Sequence, residues 1–173
     1  AGGLGSHTSA VKDADCGIFF GCGSGESRMC GMGEVYEVAK AREAGIPIAF
    51  VDYRLGEGSS GNPDEWFPIY PGTDGALASA MAYVIISEGK HDKGFLDKYA
   101  VGFDADTMPE SAPENSSYMD YIMGTGYDMV PKTPQWAAPI CGLPAERIEY
   151  LAHFITDHET CFITQGYGPQ RHH

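Results

Sequence analysis

Two short, nearly unbroken apolar runs stand out in the first third of the chain. They are residues 16–20 (Cys-Gly-Ile-Phe-Phe) and 46–51 (Ile-Pro-Ile-Ala-Phe-Val). Runs this short and continuous suit strands covered on both faces, not the alternating pattern of a half-exposed sheet. Between them Val35, Val38, Ala39 and Arg42 recur at helical spacing, and Ala44-Gly45 supplies a stop. Strand, glycine-rich turn, helix, turn and strand within about 35 residues predict a β-α-β unit, parallel and right-handed.

Further on, Thr73 is placed to cap a helix, with Asp74 in its first turn. Leu77, Ala80, Met81, Val84 and Ile85 form the apolar stripe, Gly89 ends it, and residues 92–99 predict a short helix. Periodicity then breaks down over 102–132, where Pro109, Pro113 and Pro131 stand among Gly, Ser and Asn. So long an irregular stretch predicts an excursion wrapped over the domain, anchored by one helical turn through Tyr118, Tyr121 and Ile122. Thr133-Pro134 reads as an N-cap followed by proline at the first helical position, with a stop at Gly142. Pro144 begins another helix, whose packed face is Ile148, Leu151, Ala152 and Ile155. Cys161-Phe162-Ile163-Thr164 predicts a third core strand running into Gln165-Gly166-Tyr167-Gly168. The expected fold class is α/β, a three-layer Rossmann-like domain with a mainly parallel sheet, formed by residues 1–173 as one domain.

With 173 residues and 43% hydrophobic content, there is material for a real core. The formal net charge of -13 argues against nucleic-acid binding, which needs a basic surface or stripe. It does not exclude an anionic cofactor, because backbone N–H groups at helix starts attract phosphate without any lysine. The five cysteines form no Cys-x-x-Cys, and their odd number argues against a pure disulfide framework. Cys16, Cys141 and Cys161 sit inside apolar patterns and are expected to be buried thiols. No segment has the length and apolarity of a membrane span, and no signal peptide is evident at the Ala-Gly-Gly start. The abrupt finish at Gln170-Arg171-His172-His173 suggests an internal fragment of a longer protein.

Candidate chemistry gathers where the predicted strands end, since ligands of open parallel sheets collect beyond the strands' carboxyl ends. Gly21, Gly23 and Gly25 allow a sharp turn and close approach of backbone to ligand. The match to a dinucleotide fingerprint is poor, because Glu26 stands at the third glycine position. Asp52, just after the second strand, can accept from a ribose or from the N–H edge of a guanine, or simply stabilise its turn. Arg54 suits a phosphate or a nearby acid. Asp74 is explained equally by helix capping and by a ligand. Gln165, Gln170 and Arg171 surround two glycines and a proline in a site-like loop, where Arg171 has fork geometry for phosphate or a carbonyl edge. Cys22, on a strand-to-helix turn, is the one tempting nucleophile, but no histidine can be assigned as its base. No His/Cys cluster follows zinc rules, so no metal-ligating and no catalytic residue is assigned.

At these same residues the chain resembles the dimethyl sulfoxide reductase family of molybdopterin oxidoreductases, nearest its anaerobic, membrane-associated catalytic subunits. The likeness covers nearly the whole chain. It includes Phe20-Gly21 with Glu26-Ser27-Arg28-Met29, Val51-Asp52-Tyr53-Arg54, and Glu65-Trp66-Phe67-Pro68-Ile69-Tyr70-Pro71-Gly72-Thr73-Asp74. It continues through Phe95-Leu96-Asp97-Lys98-Tyr99, Lys132-Thr133-Pro134-Gln135-Trp136-Ala137 and Gln165-Gly166-Tyr167-Gly168-Pro169-Gln170-Arg171-His172. The resemblance implies a Rossmann-like layer holding one of two molybdopterin guanine dinucleotides that together chelate molybdenum. Gly21, Cys22, Gly23, Ser24, Glu26 and Ser27 would approach the phosphates and pterin side. Asp52 and Arg54 would lie at the ribose–guanine end, with Gly72 and Asp74 at the base. Gln165, Gly166, Tyr167, Gly168, Gln170 and Arg171 would close over the cofactor.

Departures from the family pattern are informative. Cys22-Gly23-Ser24 replaces a usual Asn-Asn-Pro, Asp52-Tyr53-Arg54 replaces Asp-Pro-Arg, Tyr70 replaces an arginine, and Tyr167 stands where tryptophan is common. The family's molybdenum ligand and its iron–sulfur cluster motif lie upstream of this segment. The resemblance therefore implies an inactive piece of a larger sulfoxide or N-oxide reductase. Its implied partners are the remaining domains of the catalytic subunit, an iron–sulfur electron-transfer subunit and a membrane anchor. The parent would sit at the bacterial cell envelope, on the periplasmic face, while the fragment itself is soluble. Two other classes compete: a stand-alone nucleotide-binding or scaffold domain, and a small nicotinamide-dependent dehydrogenase.

Overall fold

The computed structural model describes residues 7–22, 33–56, 58–59, 62, 66–166 and 169. Its packing divides the chain into two compact units, Ala1–Asp74 with Asp157–His173, and Gly75–Thr156. The first unit holds the sheet. Strands β1 (Cys16–Phe20), β2 (Ile48–Asp52), β3 (Trp66–Pro68) and β4 (Cys161–Gln165) are all parallel, in the order β3-β2-β1-β4. Helix α1 (Glu34–Glu43) connects β1 to β2, as the hydrophobic pattern predicts, and ends at Gly45 with φ 81°. The second strand begins two residues later than its apolar run. Pro47 lacks an N–H, yet its carbonyl accepts from Gly17 at 3.0 Å and so starts the ladder.

The α/β class and the parallel, Rossmann-like sheet agree with the sequence. From β1 the chain steps outward through β2 to β3, then returns to β4 on the other side of β1. That reversal is a topological switch point, where open α/β sheets form their ligand crevices. Strand β3 is an addition to the sequence reading; at three residues it is too short to show a period. Its place is secured by Trp66, whose indole N–H donates to the main-chain carbonyl of Asp52 at 3.0 Å.

One face of the sheet is an aromatic cluster. Phe19 stacks on Phe50 with ring centroids 5.0 Å apart and meets Phe162 at 5.8 Å. Val38 and Ala41 from α1 and Val11 from a 3-10 turn at Thr8–Asp13 complete it. Each of these aromatic pairs adds about 1 kcal/mol beyond simple burial.

The second unit is helical. Most of α2 (Asp74–Ser87) belongs to it, with Leu77, Ala80, Met81 and Val84 buried and Ile85 half-buried. Helix α3 (Lys93–Tyr99) starts at Asp92, whose carboxylate accepts from the Phe95 N–H at 2.9 Å. The irregular stretch is folded back on itself through main-chain bonds from Tyr118 to Gly102 and from Met119 to Phe103. Its anchor is α4 (Tyr118–Met123), opened by a reciprocal Ser117–Asp120 capping box. Helix α5 (Pro134–Cys141) is capped by Thr133 and packs on α6 (Ala145–Thr156). On α6, Phe154 is buried beside Ile148, Leu151 and Ala152, while the expected Ile155 is half-buried.

Lys132 ties these pieces together. Although charged, it is only 1% exposed. Its ammonium donates to the Asp128 carboxylate at 2.5 Å and the Val130 carbonyl at 2.6 Å, and lies over the rings of Tyr121 (4.3 Å) and Trp136 (5.3 Å). A buried cation with an ion pair, a carbonyl and two aromatic faces is fully compensated; removing the hub leaves a void and a carboxylate without its partner. Lys132→Ala is expected to lower stability by about 2–4 kcal/mol in urea unfolding, and Lys132→Met, which keeps the stem, by less.

Candidate functional site

Because the four strands share one direction, their carboxyl ends lie along a single edge. A cleft of about 330 Å³, part of it continuous with solvent, opens there. The end of β1 contributes Gly21, the end of β2 Asp52 and Tyr53, and the segment leaving β3 contributes Ile69, Pro71, Gly72 and Asp74.

Each wall follows from local chemistry. Gly21 donates its N–H to Val51 at 2.8 Å, one residue beyond β1, and then turns away with φ 51°. The segment Tyr70-Pro71-Gly72-Thr73 closes on itself, the Thr73 N–H reaching the Tyr70 carbonyl at 3.2 Å. Proline second and a positive φ of 79° at Gly72 are the marks of a type II turn. The Thr73 hydroxyl donates to the same Tyr70 carbonyl at 2.6 Å, which fixes the turn just before α2. Asp74 is the first residue of that helix, where a carboxylate is favoured by the helix dipole.

Asp52 is the electrostatic centre. Burial lifts its carboxyl above the ordinary value of 3.8, against the pull of main-chain N–H groups of Arg54 and Tyr53, and the charge of Asp74 adds to the rise. None of the described residues lining the cleft is basic. Two carboxylates without a cation repel phosphate and attract hydrogen-bond donors.

The remaining predicted residues divide. Arg54 is exposed, with its guanidinium 5.6 Å from the Tyr53 ring, and does not line the cleft. Cys22 packs against the aromatic cluster of the core. Gln165 ends β4, and the Gly166 N–H donates to the Phe20 carbonyl at 2.8 Å. The two loops touch there: a Cβ on Gly166 would collide with the Gly21 carbonyl oxygen and stand 3.0 Å from the Cys22 Cα. Gly23, Ser24, Glu26, Ser27, Tyr167, Gly168, Gln170 and Arg171 lie outside the described residues. Sequence reasoning missed Tyr53, Ile69 and Pro71 as walls; the short Trp66-Phe67 run ahead of the turn was the signal for Ile69 and Pro71, while Tyr53 follows Asp52 out of β2. Among the described residues no group of three or more His, Cys, Asp or Glu side chains is arranged to hold a metal ion.

The family model for molybdopterin oxidoreductases matches residues 3–173, a span that includes every candidate position above. The chain belongs to that family. It is 45% identical to a dimethyl sulfoxide reductase of Escherichia coli (strain K12) over 97% of its own length and 21% of the relative's. A dimethyl sulfoxide reductase of Haemophilus influenzae (strain ATCC 51907 / DSM 11121 / KW20 / Rd) is 46% identical over the same shares. A trimethylamine-N-oxide reductase of that organism is 34% identical over 76% of this chain and 14% of its own length. Among solved structures, acetylene hydratase from Pelobacter acetylenicus superposes with a TM-score of 0.66 over 93% of this chain and 21% of that one. At 21% identity that likeness speaks to the fold alone. The chain thus spans about a fifth of the length of the molybdopterin oxidoreductases it matches.

Two outcomes follow. The folded chain keeps the Asp52 proton at pH values where the unfolded chain has released it. Stability therefore falls as pH rises from 3.8 through the raised folded value. Asp52→Asn is expected to match the parent chain at lower pH and to exceed it increasingly across that window; urea midpoints that run parallel at every pH would contradict this. Gly166→Ala, forcing two backbones apart, is expected to cost about 1–3 kcal/mol in the same assay.

Proposed function

We propose that this chain holds one of the two molybdopterin guanine dinucleotides of a molybdenum oxidoreductase. Its parent reduces a sulfoxide or N-oxide such as dimethyl sulfoxide. The observation that carries the reading is the pairing of Asp52 with Asp74 across a cleft turned by glycines at the sheet's carboxyl edge. A guanine presents its ring N–H and amino group side by side, and a ribose presents hydroxyls. Both are donors that a desolvated carboxylate accepts strongly. The same carboxylates exclude phosphate, so the base and ribose occupy this end of the crevice, with Asp74 on the base and Asp52 toward the ribose.

The diphosphate then extends toward the touching loops after β1 and β4. The segment after β4 carries Arg171, whose fork geometry suits a phosphate. Gly21, Cys22, Gly23, Ser24, Glu26 and Ser27 flank it on one side, and Gln165, Gly166, Tyr167, Gly168, Gln170 and Arg171 close the other. Arg54, exposed beside the cleft, flanks the ribose–guanine end. When bound, the molybdenum cofactor supplies the two-electron redox chemistry, while the protein supplies position and electrostatics. The part of this chain is to bind and orient one dinucleotide and to keep water from its base. No residue here takes a catalytic role, and the chain alone is inactive.

The sulfoxide and N-oxide reductases among the relatives support the substrate class. The partners proposed are the rest of the catalytic subunit with its iron–sulfur cluster, an iron–sulfur electron-transfer subunit and a membrane anchor, at the periplasmic face of a bacterial envelope. Among the described residues no helix is long and apolar enough to cross a membrane.

Calorimetric titration with GDP and, separately, NADH tests the reading. GDP is expected to bind selectively, with affinity reduced tenfold or more in Asp74→Ala and in Asp52→Ala, a loss of about 1.4 kcal/mol or greater. Tighter, selective binding of NADH would overturn the guanine assignment in favour of a dehydrogenase.

A further inference from the structure

Away from the cleft, at the opposite end of the same strands, two cysteines face each other. Cys16 and Cys161 are register partners on the first rung of the β1–β4 ladder. Register partners in a sheet project to the same face, and adjacent strands lie about 4.8 Å apart. That spacing falls within the ~4.4–6.8 Å that a disulfide requires between Cα atoms. The Cys161 thiol donates to the Phe162 carbonyl at 4.0 Å, and each of the two thiols influences the other's titration, as close neighbours do. The rung is also pinned from outside. The Asp15 N–H donates to the Thr160 carbonyl at 2.9 Å, and the Thr160 N–H donates back to the Asp15 carboxylate at 2.9 Å. A slip of register would break both bonds, so the two cysteines are kept on one rung by the ladder and by this outer pair.

Access is one-sided, because Cys16 is buried and Cys161 half-buried. Attack must begin at Cys161. Burial raises both thiols above their ordinary range, so the attacking thiolate is scarce near neutral pH and closure is slow, faster as pH rises. We propose that Cys16 and Cys161 form a redox-responsive pair that closes into a cross-strand disulfide by exchange with a low-molecular-weight disulfide.

The exchange balances in two displacements. Cys161 loses its proton and attacks one sulfur of the small disulfide, and the expelled thiolate takes up that proton. Cys16 then loses its proton and attacks the Cys161 sulfur of the mixed disulfide, expelling a second small thiol. Two protein thiols are oxidised, and one small disulfide is reduced to two thiols. The bridge locks β4, and with it the Gln165–Gly166 loop, onto β1 without touching any wall of the cleft.

The test uses the whole chain incubated with oxidised glutathione, then alkylated, digested and mapped by mass spectrometry. The expected result is a linked peptide joining Cys16 to Cys161, lighter by two hydrogens than the reduced pair. The thermal midpoint should rise by on the order of 10 °C, given the long loop closed. Dithiothreitol should reverse the shift, and Cys161→Ala should abolish it. Two results would overturn the proposal: full alkylation of both cysteines after incubation of the folded chain, or a Cys16–Cys161 link that forms only in urea. Mapping separates this bridge from any formed by Cys22, Cys30 or Cys141.

Discussion

The parallel pairing of β1 on both of its edges is the constraint on which the rest of the first unit depends. With β2 on one side and β4 on the other, β1 spends all its main-chain groups on neighbours and carries four buried residues out of five. A strand so enclosed tolerates no polar side chain and no shift of register. The alignment it imposes delivers Gly21, Asp52 and Gly166 to one edge although they lie far apart in sequence. The Cys16–Cys161 rung at the far edge has the same origin. One ladder therefore sets both chemically distinctive ends of the sheet.

Electrostatically the site is unusual for an anionic ligand. A protein with net charge -13 lines the described part of its cleft with two more carboxylates and no cation. In the proposed reading a local division of labour resolves the conflict: acids face a donor-rich base, and phosphate lies toward the loops after β1 and β4. Replacement of the family's arginine by Tyr70 fits this division, since it removes a cation just before the turn that carries Gly72. Tyr53, in place of a proline, contributes a wall to the cleft itself. Both changes exchange a rigid or charged group for an aromatic surface, and neither alters the acids.

Much of this arrangement was legible in the sequence because local chemistry and tertiary context agree. The run at 16–20 forms a buried strand, and that at 161–164 forms the expected strand but at an edge of the sheet, with no residue fully buried and Ile163 exposed. Gly45, Gly142 and Thr133 each mark a helix boundary by a backbone rule that tertiary contacts do not override. The turn at Tyr70–Thr73 is readable for the same reason. Strand β3 was not, because three residues carry no period and Trp66 owes its position to a hydrogen bond with a carbonyl fourteen positions earlier in the chain. The exposure of Arg54 was equally hidden, since nothing local says which way a side chain leaves a turn. Lys132 is the sharpest case. Its charge alone argues for the surface, and only the convergence of Asp128, Tyr121 and Trp136 explains its burial.

The separation of β4 from its neighbour has a consequence for the birth of the protein. Residues 75–156, a compact unit of their own, stand between β3 and β4. During synthesis, β1, β2 and β3 leave the ribosome together, but one edge of β1 must wait until the whole helical unit has followed. Non-local pairing of this kind slows folding and leaves a hydrophobic edge open in the interval. That edge is a template for any passing strand. Assembly of these four strands is thus a matter of timing as well as affinity, and the nascent chain is most vulnerable to mispairing just before β4 emerges.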